Sequence, residues 1–280
     1  MDLTKAIDGL EKRAAEQIRA EPNDYTNEEG LLMCGKCNTP KQCRVTIFDQ
    51  VRTPMCLCKC ETEKRDREEA ERKRIEFQAT VKKLRQSGFP ESDMENWTFE
   101  NDDMSNERIS KIARNYADNF EKMREKGKGL LLFGTVGTGK TYAAACIAND
   151  LISKGYPVLM TNFSRIRNTI QGMYEGKQAY LDSLNRHPLL ILDDLSAESK
   201  SEYMQEIVFS VIDARYRAGL PLIVTTNLTG EELKHPAETM NQRTFSRLLE
   251  MCLPVEVAGN DRRRDRLKED FAEFKDLLGL

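Results

Sequence analysis

The hydrophobic pattern changes character along the chain. Residues 3–20 place apolar positions at helical spacing, and a polar turn follows at 21–27. Residues 61–86 carry charge on every turn with almost no Gly or Pro, which predicts a solvated helix; Gln86-Ser87-Gly88-Phe89-Pro90 ends it. Beyond that break, short apolar runs alternate with helical periods. Strands are predicted at 130–133, 157–160, 189–192, 220–226 and 253–257, and helices at 141–153, 163–173, 178–185, 202–218, 239–250 and 261–278. Residues 189–192 are apolar at every position, as in a strand buried on both faces. This alternation predicts an α/β fold, a five-stranded, mostly parallel sheet with helices on both sides. No internal repeat interrupts it.

Composition narrows the reading. The 280 residues suffice for one α/β core and a smaller module. Lys and Arg number 43 against 46 Asp and Glu, so any nucleic-acid contact must come from a local basic patch. No apolar run reaches the ~18 residues of a membrane span, and residues 1–10 lack a signal-peptide core. The expected location is therefore the cytoplasm, where thiols stay reduced and clustered cysteines point to metal. Six of the eight cysteines fall between Cys34 and Cys60; Cys146 and Cys252 sit alone in apolar stretches and read as core.

Three segments carry candidate chemistry in the large domain. Gly134-Thr135-Val136-Gly137-Thr138-Gly139-Lys140-Thr141 is a complete G-x-x-x-x-G-K-[ST] run between a predicted strand and a predicted helix. Glycines there let backbone N–H groups turn inward around phosphate oxygens, and the helix start adds its positive dipole end. Lys140 is assigned to the β- and γ-phosphates and Thr141 to Mg²⁺. The strand at 189–192 runs into Asp193 and Asp194. Strand side chains alternate, so the two acids diverge: Asp193 is assigned to the Mg²⁺ shell and Asp194 to the attacking water. Thr225-Thr226-Asn227 ends a further strand at the same edge, placing Asn227 to orient water or touch the γ-phosphate. Together these imply an ATPase dependent on ATP and Mg²⁺.

Cys34-Gly35-Lys36-Cys37 is a C-x-x-C turn, and Cys56-Leu57-Cys58-Lys59-Cys60 follows about twenty residues later. With no His nearby, this spacing fits an all-thiolate structural Zn²⁺ site. Cys34 and Cys37 form one pair and Cys58 and Cys60 the other; Cys56 and Cys43 stand as rivals.

These segments, with Phe245-Ser246-Arg247-Leu248-Leu249-Glu250-Met251 and Gly259-Asn260-Asp261-Arg262-Arg263, resemble the DnaC/DnaI/IstB group of AAA+ ATPases over about residues 86–265. The resemblance implies a trans-acting arginine at Arg247, with Arg243 as the alternative, and a cis sensor at Arg263 or Arg262. It implies self-association through shared ATP sites, single-stranded DNA bound by the core near Arg165, Arg167 and Lys177, and a DnaB-like replicative helicase held by the N-terminal region. Asp194 departs from the Glu of many AAA+ proteins and is one methylene shorter. The expected organisation is a helicase-interaction module with the zinc site at 1–60, a helical linker at 61–90, and an AAA+ domain without separate lid at 91–280. The alternatives are an IstB-like transposition helper on duplex DNA and a nucleotide-gated adaptor with incidental turnover.

Overall fold

The computed structural model describes residues 20–47, 49–195, 202–235 and 239–262, with positions 9, 12, 13, 18, 271, 274, 275 and 278. The predicted helices at 3–20 and 261–278 fall largely outside these residues. The chain divides into two compact units, Met1–Gln78 and Ala79–Leu280.

The first unit is built from short pieces. Strand β1 (Tyr25–Thr26) pairs antiparallel with β2 (Leu32–Met33), and β3 (Val45–Ile47) with β4 (Gln50–Arg52). Isolated bridges join Met33 to Pro40 and Gln42 to Met55. Helix α1 (Lys59–Gly88) starts at the last cysteines and runs past the unit boundary. None of its residues before Gly88 is buried, and i,i+4 pairs such as Lys73–Glu69 at 2.6 Å and Arg65–Glu61 at 3.9 Å line it. Such pairs support its charged stretch, while Val81 and Leu84 near its end pack against the core of the second unit.

The second unit is an α/β layer structure. Between a 3₁₀ turn at Ser92–Asn96 and the sheet lie α2 (Glu107–Asp118) and α3 (Phe120–Glu125). Then follow β5 (Gly129–Phe133), α4 (Lys140–Ser153), β6 (Val158–Asn162), α5 (Phe163–Gln171), α6 (Lys177–Leu184), β7 (Leu189–Asp193), α7 (Glu202–Ala218), β8 (Leu222–Thr226), α8 (Gly230–Lys234), α9 (Thr239–Met251) and β9 (Cys252–Glu256). The five strands lie parallel in the order β6-β7-β8-β5-β9.

Alternation along each strand feeds two cores. Leu130, Leu132, Leu189 and Ile191 join α2 and α4 on one face; Leu131, Leu190 and Leu192 join α5, α7 and α9 on the other. Strands covered on both faces have no polar positions to spare, which is why their sequence reads as unbroken apolar runs. Two buried polar side chains tie the layers. Asn149 of α4 donates to Met94 O at 2.8 Å and Trp97 O at 2.9 Å. Arg215 of α7, fully buried, donates to His187 O at 2.8 Å and also to Pro188 O and Pro221 O, joining the segments that lead into β7 and β8. Cys146 and Cys252 are buried in these cores, as expected.

Candidate functional site

The strand order leaves β5, β7 and β8 adjacent, so their C-terminal ends meet along one edge. In parallel α/β sheets the ligand crevice opens at that edge. Leaving β5, the chain turns through Gly134 (φ 133°), Gly137 (φ 79°) and Gly139 (φ 93°) before α4 begins at Lys140. Those φ values favour glycine, and space demands it too. A Cβ on Gly134 would lie 2.7 Å from Val257 O, and one on Gly137 would lie 1.9 Å from Asp261 Oδ1. Lys140 Nζ donates to Gly134 O at 2.9 Å and Thr135 O at 2.6 Å, so the ammonium is folded over its own loop.

At the end of β7 the two acids diverge. Asp193 Oδ1 accepts from Thr141 Oγ1 at 2.8 Å and from Thr225 Oγ1 at 2.6 Å. Burial holds its carboxyl above the usual aspartate range, against the hydrogen bonds from Thr225 and Thr141. Asp194 adopts the left-handed region (φ 55°), its N–H donates to Thr225 Oγ1 at 2.9 Å, and its Oδ1 accepts from Asn227 Nδ2 at 3.2 Å. Thr225 thus orients both acids through one hydroxyl. Sequence reasoning assigned the role at this strand end to Asn227 and missed Thr225; its place in a Thr-Thr-Asn strand end was the only signal.

These groups line one cleft of about 610 Å³, in the size range of small-molecule sites. Its other wall was not foreseen. Trp97 and Tyr142 sit there with ring centroids 5.7 Å apart, alongside Asn101, Asp103 and Ser105. Arg262 also lines the cleft: its N–H donates to Gly137 O at 3.1 Å and its guanidinium pairs with Asp103. Of the two cis-sensor candidates, Arg262 is at the phosphate loop and Arg263 lies outside the described residues. A hydroxyl, a half-buried carboxylate, a lysine and a glycine-rich turn form a donor set that fits Mg²⁺ and a polyphosphate.

The remaining candidates lie elsewhere in the second unit. Arg247 is not among the cleft-lining residues; it pairs with Asp213 at 3.0 Å and stacks 4.6 Å from the Phe209 ring centroid. Arg243 is exposed on the same helix. Arg165 and Lys177 are exposed and Arg167 is half-buried, and Tyr174 between α5 and α6 is fully exposed.

In the first unit Cys34, Cys37, Cys58 and Cys60 come together, every sulfur within 4.8 Å of the others. Cys34 and Cys60 lie 3.7 Å apart and Cys58 and Cys60 3.3 Å. Four thiolates around zinc at about 2.3 Å define edges of about 3.8 Å, so the donor set fits. Cys43 and Cys56 fall outside the group, their thiols directed to Pro54 O at 3.8 Å and Pro40 O at 3.7 Å. Among the described residues no helix is long and apolar enough to cross a membrane.

Comparison with known proteins agrees with this geometry. The replicative helicase loader DnaI of Bacillus subtilis (strain 168) is 29% identical over 208 residues, covering 69% of this chain and 66% of that protein. A putative insertion sequence ATP-binding protein of Sinorhizobium fredii is 34% identical over 108 residues, covering 38% of this chain and 36% of that protein. The chain thus spans less than two-thirds of either relative. A crystal structure of DnaI superposes with a TM-score of 0.53 at 25% identity, covering 64% of this chain and 99% of that one. The family model for IstB-like ATP binding proteins matches residues 61–270, which takes in the whole cleft, and the chain belongs to that family.

Proposed function

We propose that this chain is an AAA+ ATPase that hydrolyses Mg²⁺-ATP and loads a DnaB-like replicative helicase onto single-stranded DNA. The observation that carries the ATPase reading is the hydroxyl–carboxylate–hydroxyl chain Thr141–Asp193–Thr225 beside Lys140. Mg²⁺, when bound, would offset phosphate charge as the terminal phosphoryl leaves. Thr141 and Asp193 would hold it, and Lys140 would leave the Gly134 and Thr135 carbonyls for the phosphates. Asp194, steadied by Asn227 and by the Thr225 hydroxyl, is aimed to accept a proton from water. Arg262 would read the phosphates in cis.

Similarity to a helicase loader supports the partner assignment, and the four-cysteine group supports a structural Zn²⁺ site in residues 1–60 as the helicase-contacting module. Residues 61–90 would serve as linker and 91–280 as motor. Arg165, Arg167 and Lys177, with the exposed Tyr174 ring as a stacking platform, suit single-stranded DNA. Arg247 would complete the site of a neighbouring copy.

The test is co-purification with a candidate DnaB-type helicase, with and without ATP. Retention of the helicase is expected, strengthened by ATP and no longer so in Lys140→Ala; no retention in any condition would reject the loader reading. Mixing Arg247→Ala with wild type should lower turnover per wild-type subunit if sites are shared. The family's insertion-sequence relative favours a second reading, a transposition helper, for which filaments on double-stranded DNA would be the sign.

A further inference from the structure

The turn between Cys34 and Cys37 is held by residues that are not among the four thiols. Gly35 has no room for a side chain, since a Cβ there would meet Asn23 O at 1.8 Å. Its N–H donates to Asp24 Oδ1 at 3.1 Å. The other carboxylate oxygen of Asp24 accepts the Glu21 N–H at 2.7 Å and Lys41 Nζ at 2.6 Å. The side chains of Lys41 and Asp24 are 7% and 2% exposed, whereas the nearby Lys36–Glu21 pair is 62% and 48% exposed. Lys41 is fixed by its backbone as well: its N–H donates to Leu32 O at 2.7 Å, and its carbonyl accepts the Cys56 N–H at 2.7 Å. One ion pair therefore links the Cys34–Cys37 turn to the segment leading into Cys58 and Cys60.

A buried ion pair is a poor source of net stability, because desolvation offsets the attraction. It does fix geometry. Paired with Asp24, Lys41 adds no net charge beside the four thiols; its part is to hold the carboxylate that fixes the turn. Groups that hold metal ligands from behind commonly set metal affinity.

We infer that Asp24 and Lys41 are positioning residues for the four-cysteine metal site, Asp24 fixing the Cys34–Cys37 turn and Lys41 fixing Asp24 and, through its own carbonyl, the Cys56 end of the second cysteine segment. This rests on the zinc reading. The experiment is zinc competition against a chromophoric chelator, with cobalt(II) substitution to monitor tetrahedral thiolate coordination, all on the full chain. Asp24→Asn and Lys41→Met should each weaken zinc binding about 10–100-fold while leaving ATP affinity unchanged. Lys41→Arg should recover near wild-type affinity, and Glu21→Gln, which removes only the exposed pair, should change nothing. Wild-type zinc affinity in both Asp24→Asn and Lys41→Met overturns the inference and leaves the zinc reading standing. A wild-type chain that binds no zinc defeats the zinc reading itself. Should Asp24→Asn fail to fold, the Lys41→Met and Lys41→Arg pair decides: a loss recovered by Arg supports the role, and no loss in either overturns it.

Discussion

Asp193 is partly desolvated, and its ionised form costs the fold stability. Burial raises its pKa, so the folded chain favours the protonated form more than the unfolded chain does. From this group, stability without ligand is greatest below the unfolded aspartate pKa and falls as pH rises through the raised folded value. Asp193→Asn removes the half-buried charge. It should raise the melting temperature of the nucleotide-free protein at neutral pH and flatten that slope, while turnover is lost. A lower melting temperature would show that the carboxylate is well compensated by its two hydroxyls. Thr225 makes a sharper case. Thr225→Val keeps the shape but removes the donor to Asp193 and the acceptor for Asp194 N–H. A hydrogen bond to a charged group contributes about 1.5–3 kcal/mol, so kcat should fall on the order of tenfold or more, with ATP affinity nearly unchanged. The phosphate loop was legible because its chemistry lies within eight consecutive residues. Thr225 was not, because its partners lie 32 and 31 residues away at the end of β7, and nothing local marks a hydroxyl that holds two acids.

At the scale of elements, strands buried on both faces leave an unmistakable apolar run, and all five central strands were foreseen within a few residues. The short N-terminal strands were not, since two- and three-residue pairs among turns and cysteines have no period to read. Helix α2 was also missed, though its buried face of Ile109, Ala113, Tyr116 and Ala117 is at helical spacing; its charged outer face masked the signal. The second wall of the cleft comes from Trp97 and the segment after it, Asn101, Asp103 and Ser105, which lies between the 3₁₀ turn and that helix. Arg215 belongs to this scale too, because it joins the segments entering two strands. Burial lowers its pKa to about 10, yet it remains charged at neutral pH. Arg215→Met would leave three strand-entry carbonyls without their donor and should lower unfolding free energy by about 2–4 kcal/mol, read as a reduced urea midpoint. A midpoint unchanged from wild type would mean that water replaces the guanidinium.

For the whole molecule, the cysteine unit and the unit that carries the glycine-rich loop each have their own chemistry. Zinc removal should therefore leave nucleotide binding intact while abolishing helicase retention; loss of both together would show that the metal supports the entire fold. The central claim is that a polyphosphate is bound in the loop around Lys140. The only tryptophan of the chain, Trp97, lines that cleft and offers a direct reading. Titration of Mg²⁺-ATP against Trp97 fluorescence should give a saturable change in the wild-type protein that disappears in Lys140→Ala. A wild-type protein with no measurable affinity for adenosine nucleotides, or a Lys140→Ala variant that binds as wild type does, would contradict the account.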